Sequence, residues 1–112
     1  VMGMARRNTA QIKAVLEEAK RLMEVEENVK VSVRPLKTTI ATIRFSSRGV
    51  RITVSPKVLN LPKKLQLYVI CHELAHYKAN TQYHTKSFWN ELKRAFPNPK
   101  ALEEEVLRRV MA

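Results

Sequence analysis

The stretch His72-Glu73-Leu74-Ala75-His76 constrains this chain more than any other. It closes a nearly continuous apolar run, Leu65, Leu67, Tyr68, Val69, Ile70 and Cys71, which reads as a helix buried on most sides. On a helix, residues four apart lie one turn apart on one face, so the two imidazoles project side by side. That spacing suits two nitrogen ligands on one Zn²⁺, each at about 2.0–2.1 Å in a tetrahedral site. Glu73 lies about 100° round the helix from His72, where it can reach a metal-bound water without sharing the metal. Two imidazoles and a carboxylate in an apolar run are costly to bury without a partner, and a metal ion meets that need.

The chain has three histidines, and the third, His84, follows the turn-forming Asn80-Thr81-Gln82-Tyr83. A new periodic segment opens at Thr85-Lys-Ser-Phe88, so His84 stands at a helix start from which a turn can fold it back toward the metal. Two histidines, a third ligand and one water give the open coordination of a catalytic site. Glu91, two turns beyond His84 on the same face, is the rival third ligand; with His84 in that role, Glu91 becomes a hydrogen-bond partner of a ligand. Cys71 adjoins His72, but its helix angle points elsewhere, and a small buried hydrophobe is the better reading.

The pattern His72-Glu-Leu-Ala-His76, then His84-Thr-Lys-Ser-Phe88-Trp89, resembles the minigluzincins, small zinc metallopeptidases, and the related YgjP-like and SprT-like domains. The specific part is residues 70–92. The seven residues between His76 and His84 exceed the usual YgjP-like gap. The resemblance implies a zincin-like α+β fold, one Zn²⁺ on His72, His76 and His84, and peptide or protein substrates. It also implies latency through a C-terminal segment, acting within one molecule or by exchange between two. SprT-like relatives act on DNA-attached proteins, which makes a DNA-associated protease the alternative.

A chain of 112 residues makes one domain. The expected order is a backing helix at 5–27, a small, mostly antiparallel three-stranded sheet at 29–55, an active-site helix at 62–80, a third-ligand helix at 84–96 and a C-terminal segment at 98–112. In the first helix Ile12, Val15, Leu16, Ala19, Leu22 and Met23 follow helical spacing, and Asn8 with Gln11 resembles a capping box. Val1-Met-Gly-Met4 reads as start-site residues ahead of the structure. Val29, Val31 and Val33 alternate with polar residues, Thr38 to Phe45 is rich in β-branched residues, and Val50, Ile52 and Val54 alternate again after a hairpin at Ser46-Ser-Arg-Gly49. Pro56 to Leu61 reads as a connector, and Asn98 as a cap for a last helix with Leu102, Val106, Leu107, Val110 and Met111 on its apolar face.

Net charge is +11 and uneven. Residues 28–102 carry fourteen Lys or Arg against two acids, Glu73 and Glu91, and the chain has no Asp. Such a body can bind nucleic acid, but no recognition helix or aromatic-basic motif favours that reading. No apolar run is long enough to span a bilayer, and one cysteine fits a reducing, cytoplasmic setting. With no Asp, the outer imidazole nitrogens must be met by Glu91, Asn80 or backbone carbonyls. Tyr83 and Tyr77 are the nearby hydroxyls for an oxyanion. The C-terminal triplet Glu103-Glu104-Glu105, opposite in sign to the body, has the charge to dock across a basic cleft and place a carboxylate at the open metal position.

Overall fold

The computed structural model describes the backbone of residues 2–111 and the side chains of residues 10–111. Helix α1 (Met2–Leu22) begins earlier than the sequence suggests, so Asn8 lies inside it and is no cap, and Met2 to Met4 are helical. Its buried face is Ile12, Val15, Leu16 and Ala19, with Met23 beyond the last turn; Leu22, expected on this stripe, is exposed. The helix stops short of Glu27. Glu24 turns left-handed at φ 55°, and the Val25 and Glu24 amides return to the Lys20 and Arg21 carbonyls. This is a Schellman ending, normally built on glycine, and it turns Val25 into the core.

Strands β1 (Val29–Val33), β2 (Ala41–Ser46) and β3 (Gly49–Val54) form one sheet in the order β1-β3-β2. The β2–β3 hairpin is antiparallel, with Gly49 at φ 132° after the two-residue turn Ser47-Arg48. β1 runs parallel to β3, so the expectation of a mostly antiparallel sheet holds for the hairpin alone. β3 takes the centre, with Ile52 and Val54 fully buried and Val50 nearly so. The second strand begins at Ala41, leaving Thr38 to Ile40 as the approach to it. One face of the sheet packs on the helices; the other faces solvent.

Ser55 caps the short helix α2 (Pro56–Leu59), which replaces the expected connector. Gln66, almost fully buried, donates from Nε2 to the Leu59 and Leu61 carbonyls and so fixes the turn into the next helix. That helix, α3 (Lys63–Ala79), is the centre of the molecule: it packs against α1, β2, α4 (Lys86–Lys93) and α5 (Pro99–Met111). Leu65, Val69, Ile70, Cys71, Leu74 and Ala75 are buried on its several sides, which explains a run with no clean polar stripe. α4 is shorter than the expected 84–96, opening with Thr85 as cap, its hydroxyl accepting from the Phe88 amide. α5 buries Val106 and leaves Leu107 and Met111 exposed. Among the described residues, no helix is long and apolar enough to cross a membrane.

Candidate metal centre

His72 and His76 project from the second half of α3, and His84 from the loop just ahead of the Thr85 cap. A ligand nitrogen from each lies within 4.8 Å of the other two. The ring centroids make a near-equilateral triangle: 5.3 Å between His72 and His76, and 5.1 Å from each to His84. Phe88, fully buried, forms its floor, with centroids 4.9, 4.4 and 4.8 Å from His72, His76 and His84. Trp89 stands 5.9 Å from His84 on the outer side.

The end of α3 sets the orientation of His76. Asn80 adopts the left-handed conformation just past the helix, and the Thr81 amide returns to the His76 carbonyl at 3.1 Å. The same reversal brings the Thr81 carbonyl to 2.9 Å from His76 Nδ1, which donates to it. That bond leaves Nε2 as the free lone pair facing the triangle. Burial lowers the His76 pKa, keeping the ring neutral and fit to ligate. A backbone carbonyl therefore orients this imidazole; Asn80 shapes the turn rather than supplying the bond.

His72 is held between two carboxylates. Its Nδ1 lies 3.0 Å from Glu73 Oε2, and its Nε2 lies 3.0 Å from Glu103 Oε1, reached from α5. Burial disfavours the imidazolium, but hydrogen bonds and charge from Glu103 and Glu73 outweigh it and push the pKa up to about 9. The bond to His72 in turn draws the Glu103 pKa down, against the effect of its own burial. Tyr68, four residues before His72 and so on the same face, donates its hydroxyl to Glu103 Oε1 at 3.1 Å. Burial, then Glu103, hold that hydroxyl far above the usual tyrosine range.

The cluster opens into a cleft of about 280 Å³ lined by Ile40, Ala41, Val69, Glu73, Val106 and Leu107, with Tyr68 and Glu103 at its side. Glu91 is outside the three-histidine group; its Oε2 is buried without a hydrogen-bond partner, 3.7 Å from Arg94 Nε. Cys71 is buried, and burial pushes its thiol up to about 12, where it stays protonated and a poor ligand. Tyr83 is 77% exposed. Tyr77 packs edge-on against Phe45, and burial, then the neighbouring Glu27, raise the pKa of its hydroxyl. Neither tyrosine lines the cleft. Sequence reasoning overlooked Tyr68, although its spacing from His72 was the available signal. No sequence signal singled out Glu103 from its two acidic neighbours.

Three imidazoles, one with its donor nitrogen already selected, are a donor set that suits a divalent transition ion. Comparisons with known proteins agree with this centre. The chain superposes on the crystal structure of the metallopeptidase zymogen of Pyrococcus abyssi abylysin with a TM-score of 0.82, at 40% identity, covering 89% of this chain and 95% of that one. Against the zymogen of Methanocaldococcus jannaschii jannalysin the TM-score is 0.75 at 26% identity, covering 88% and 89% of the two chains. Two uncharacterised proteins of Methanocaldococcus jannaschii are 29% and 30% identical over 88% and 72% of this chain, and over 89% and 72% of their own lengths. Residues 4–109 match the YgjP-like metallopeptidase domain, and this chain belongs to that family of metallopeptidases, of the minigluzincin type.

Proposed function

We propose that this chain is a zinc-dependent endopeptidase that is latent as folded, with α5 as its inhibitory segment. The observation that carries the reading is the triangle of His72, His76 and His84 with the Glu73 carboxylate beside it. His72, His76 and His84 would hold the ion, leaving one position open. Zn²⁺ bound there supplies a Lewis acid that brings water to a pKa of roughly 7 and polarises a carbonyl.

The chain's own residues do the rest. Glu73, buried on α3 beside His72, takes the proton of the attacking water and passes it to the leaving amine. Its bond to His72 Nδ1 fixes the carboxylate in place meanwhile. The Tyr68 hydroxyl, freed from Glu103, would donate to the oxyanion that develops on the scissile carbonyl. β2 is an edge strand, and the residues leading into it, Thr39 to Ala41, line the cleft. An extended substrate would add along this edge through main-chain bonds, with Ile40 and Val69 receiving an apolar side chain once α5 withdraws.

Latency follows from Glu103. Its carboxylate reaches the ligand side of His72 and takes the Tyr68 hydroxyl, so with the ion bound it would stand at the open position where substrate and water must enter. Both solved relatives are described as zymogens, which supports the same state here. The test is cleavage of casein by zinc-loaded protein, native and Glu103→Ala, with and without chelator, beside metal analysis. Chelator-sensitive cleavage that rises in Glu103→Ala is the expected result. A zinc-free chain, or cleavage indifferent to chelator, would sink the proposal.

A further inference from the structure

We infer that the solvent face of the sheet binds the phosphodiester backbone of nucleic acid without reading its sequence. The register carries the argument. Arg51, in the central strand, is directly opposite Lys30 of β1 on one side and Arg44 of β2 on the other. Three cations thus stand in one row across the sheet, each backbone about 4.8 Å from the next. The three side chains are exposed, on the face away from the helices.

The next row along the same face is Ser32, Thr53 and Thr42, again paired directly across the strands. A row of cations beside a row of hydroxyls is the donor set that phosphate oxygens take. Like charges directly opposed weaken a sheet, and here nothing within the strands relieves them: no acidic residue lies between Glu27 and Glu73. Arg51 finds only the Ser32 hydroxyl, at 3.5 Å.

The cationic surface extends on both sides of the row. A depression beyond Arg44 reaches Arg48 in the hairpin, and a groove beyond Lys30 reaches Lys13 and Lys20 on α1. Two acids lie on these margins, Glu27 in the depression and Glu17, 3.9 Å from Lys20, in the groove, and the six cations of the row and its margins outnumber them three to one.

The face also indicates what kind of polyanion it takes. A protein partner is anchored by aromatic or aliphatic side chains in buried pockets. The exposed large hydrophobics among the described residues are Leu22, Tyr83, Leu107 and Met111, none of them in the strands. Backbone binding needs no such anchor, since neutralised phosphates release counterions. Without an aromatic for stacking or a helix for a groove, binding is electrostatic and indifferent to base order.

Fluorescence anisotropy with the full chain tests this, using labelled mixed-sequence duplex DNA and labelled oligo(dT) across a salt series. Lys30→Thr/Arg51→Thr should reduce the slope of log K against log salt by about 1.8 if the duplex binds, or about 1.4 if oligo(dT) does. Lys64→Gln/Lys93→Gln removes equal charge from the helices and should leave the slope within experimental scatter. Equal losses in both double variants, or no binding by the native chain, overturn the inference. Displacement of the DNA by poly-glutamate at matched charge concentration overturns it too, in favour of an acidic protein partner. Arg51→Thr alone should raise the melting temperature at low salt, because two opposed charge pairs disappear. An unchanged or lower value shows that the row is not strained and removes the premise.

Discussion

Glu103 Oε1 lies 3.0 Å from His72 Nε2, joining residues 31 apart in sequence across two helices. The same carboxylate accepts from the Tyr68 hydroxyl at 3.1 Å, a bond compatible with a bound ion, and hydrogen bonds to a charged group are worth about 1.5–3 kcal/mol. If it keeps α5 closed over the cleft, losing it should raise the open population by about 10- to 100-fold. Glu103→Ala should therefore cleave a quenched peptide faster by a similar factor. Circular dichroism should show the helices retained, since the buried faces of α1 and α3 do not depend on Glu103. A folded, zinc-loaded Glu103→Ala protein with native-level cleavage would rule out this latch.

One equivalent of zinc per chain is expected, removable by chelator and raising the melting temperature when restored. His84→Ala should weaken zinc binding far more than Glu91→Ala, since His84 belongs to the triangle and Glu91 does not. The competing case rests on the buried, unpartnered Oε2 of Glu91. Equilibrium zinc titration of both variants decides it: metal lost from Glu91→Ala and kept by His84→Ala reverses the ligand assignment.

Much of this centre was legible because α3 combines two signals that reinforce each other. A run of apolar residues too continuous for a surface helix placed it in the core, and the two histidines one turn apart marked its functional face. His84 was found by elimination among three histidines. Tyr68 was hidden by the same run, because an aromatic among aliphatics reads as packing until its hydroxyl is seen to face Glu103. The parallel pairing of β1 with β3 had no local signal: alternation tells which side chains turn inward, not which neighbour a strand takes. The end of α1 was misplaced because Glu24 takes a left-handed conformation where glycine is the usual mark.

Leu74 lies between His72 and His76, turned away from them and fully buried. Leu74→Ala should cost about 2–5 kcal/mol of stability by leaving a cavity. Leu107→Ala, on a side chain 47% exposed, should cost little. Urea unfolding of the two variants gives the comparison, and similar midpoints would mean that α3 is not packed as described.

Glu73→Gln should fold and hold zinc while losing about 10²–10⁴-fold in cleavage, because only proton transfer is removed. The measurement belongs in the Glu103→Ala background, where the basal rate is high enough to lose. Unimpaired cleavage there would take Glu73 out of the mechanism.

Tyr68 has two roles to separate. In the closed state its hydroxyl holds Glu103, so Tyr68→Phe in the native chain should loosen the latch and raise activity. In the open state the same hydroxyl would stabilise the oxyanion, so its loss should lower the rate of the chemical step. The second effect appears alone once Glu103 is gone. Tyr68→Phe added to Glu103→Ala should lower kcat by about 10²–10³-fold if Tyr68 donates to the transition state. Because that bond strengthens only as the oxyanion forms, KM should stay nearly constant while kcat/KM falls with kcat. A double variant as active as Glu103→Ala alone would leave Tyr68 as part of the latch and exclude it from catalysis.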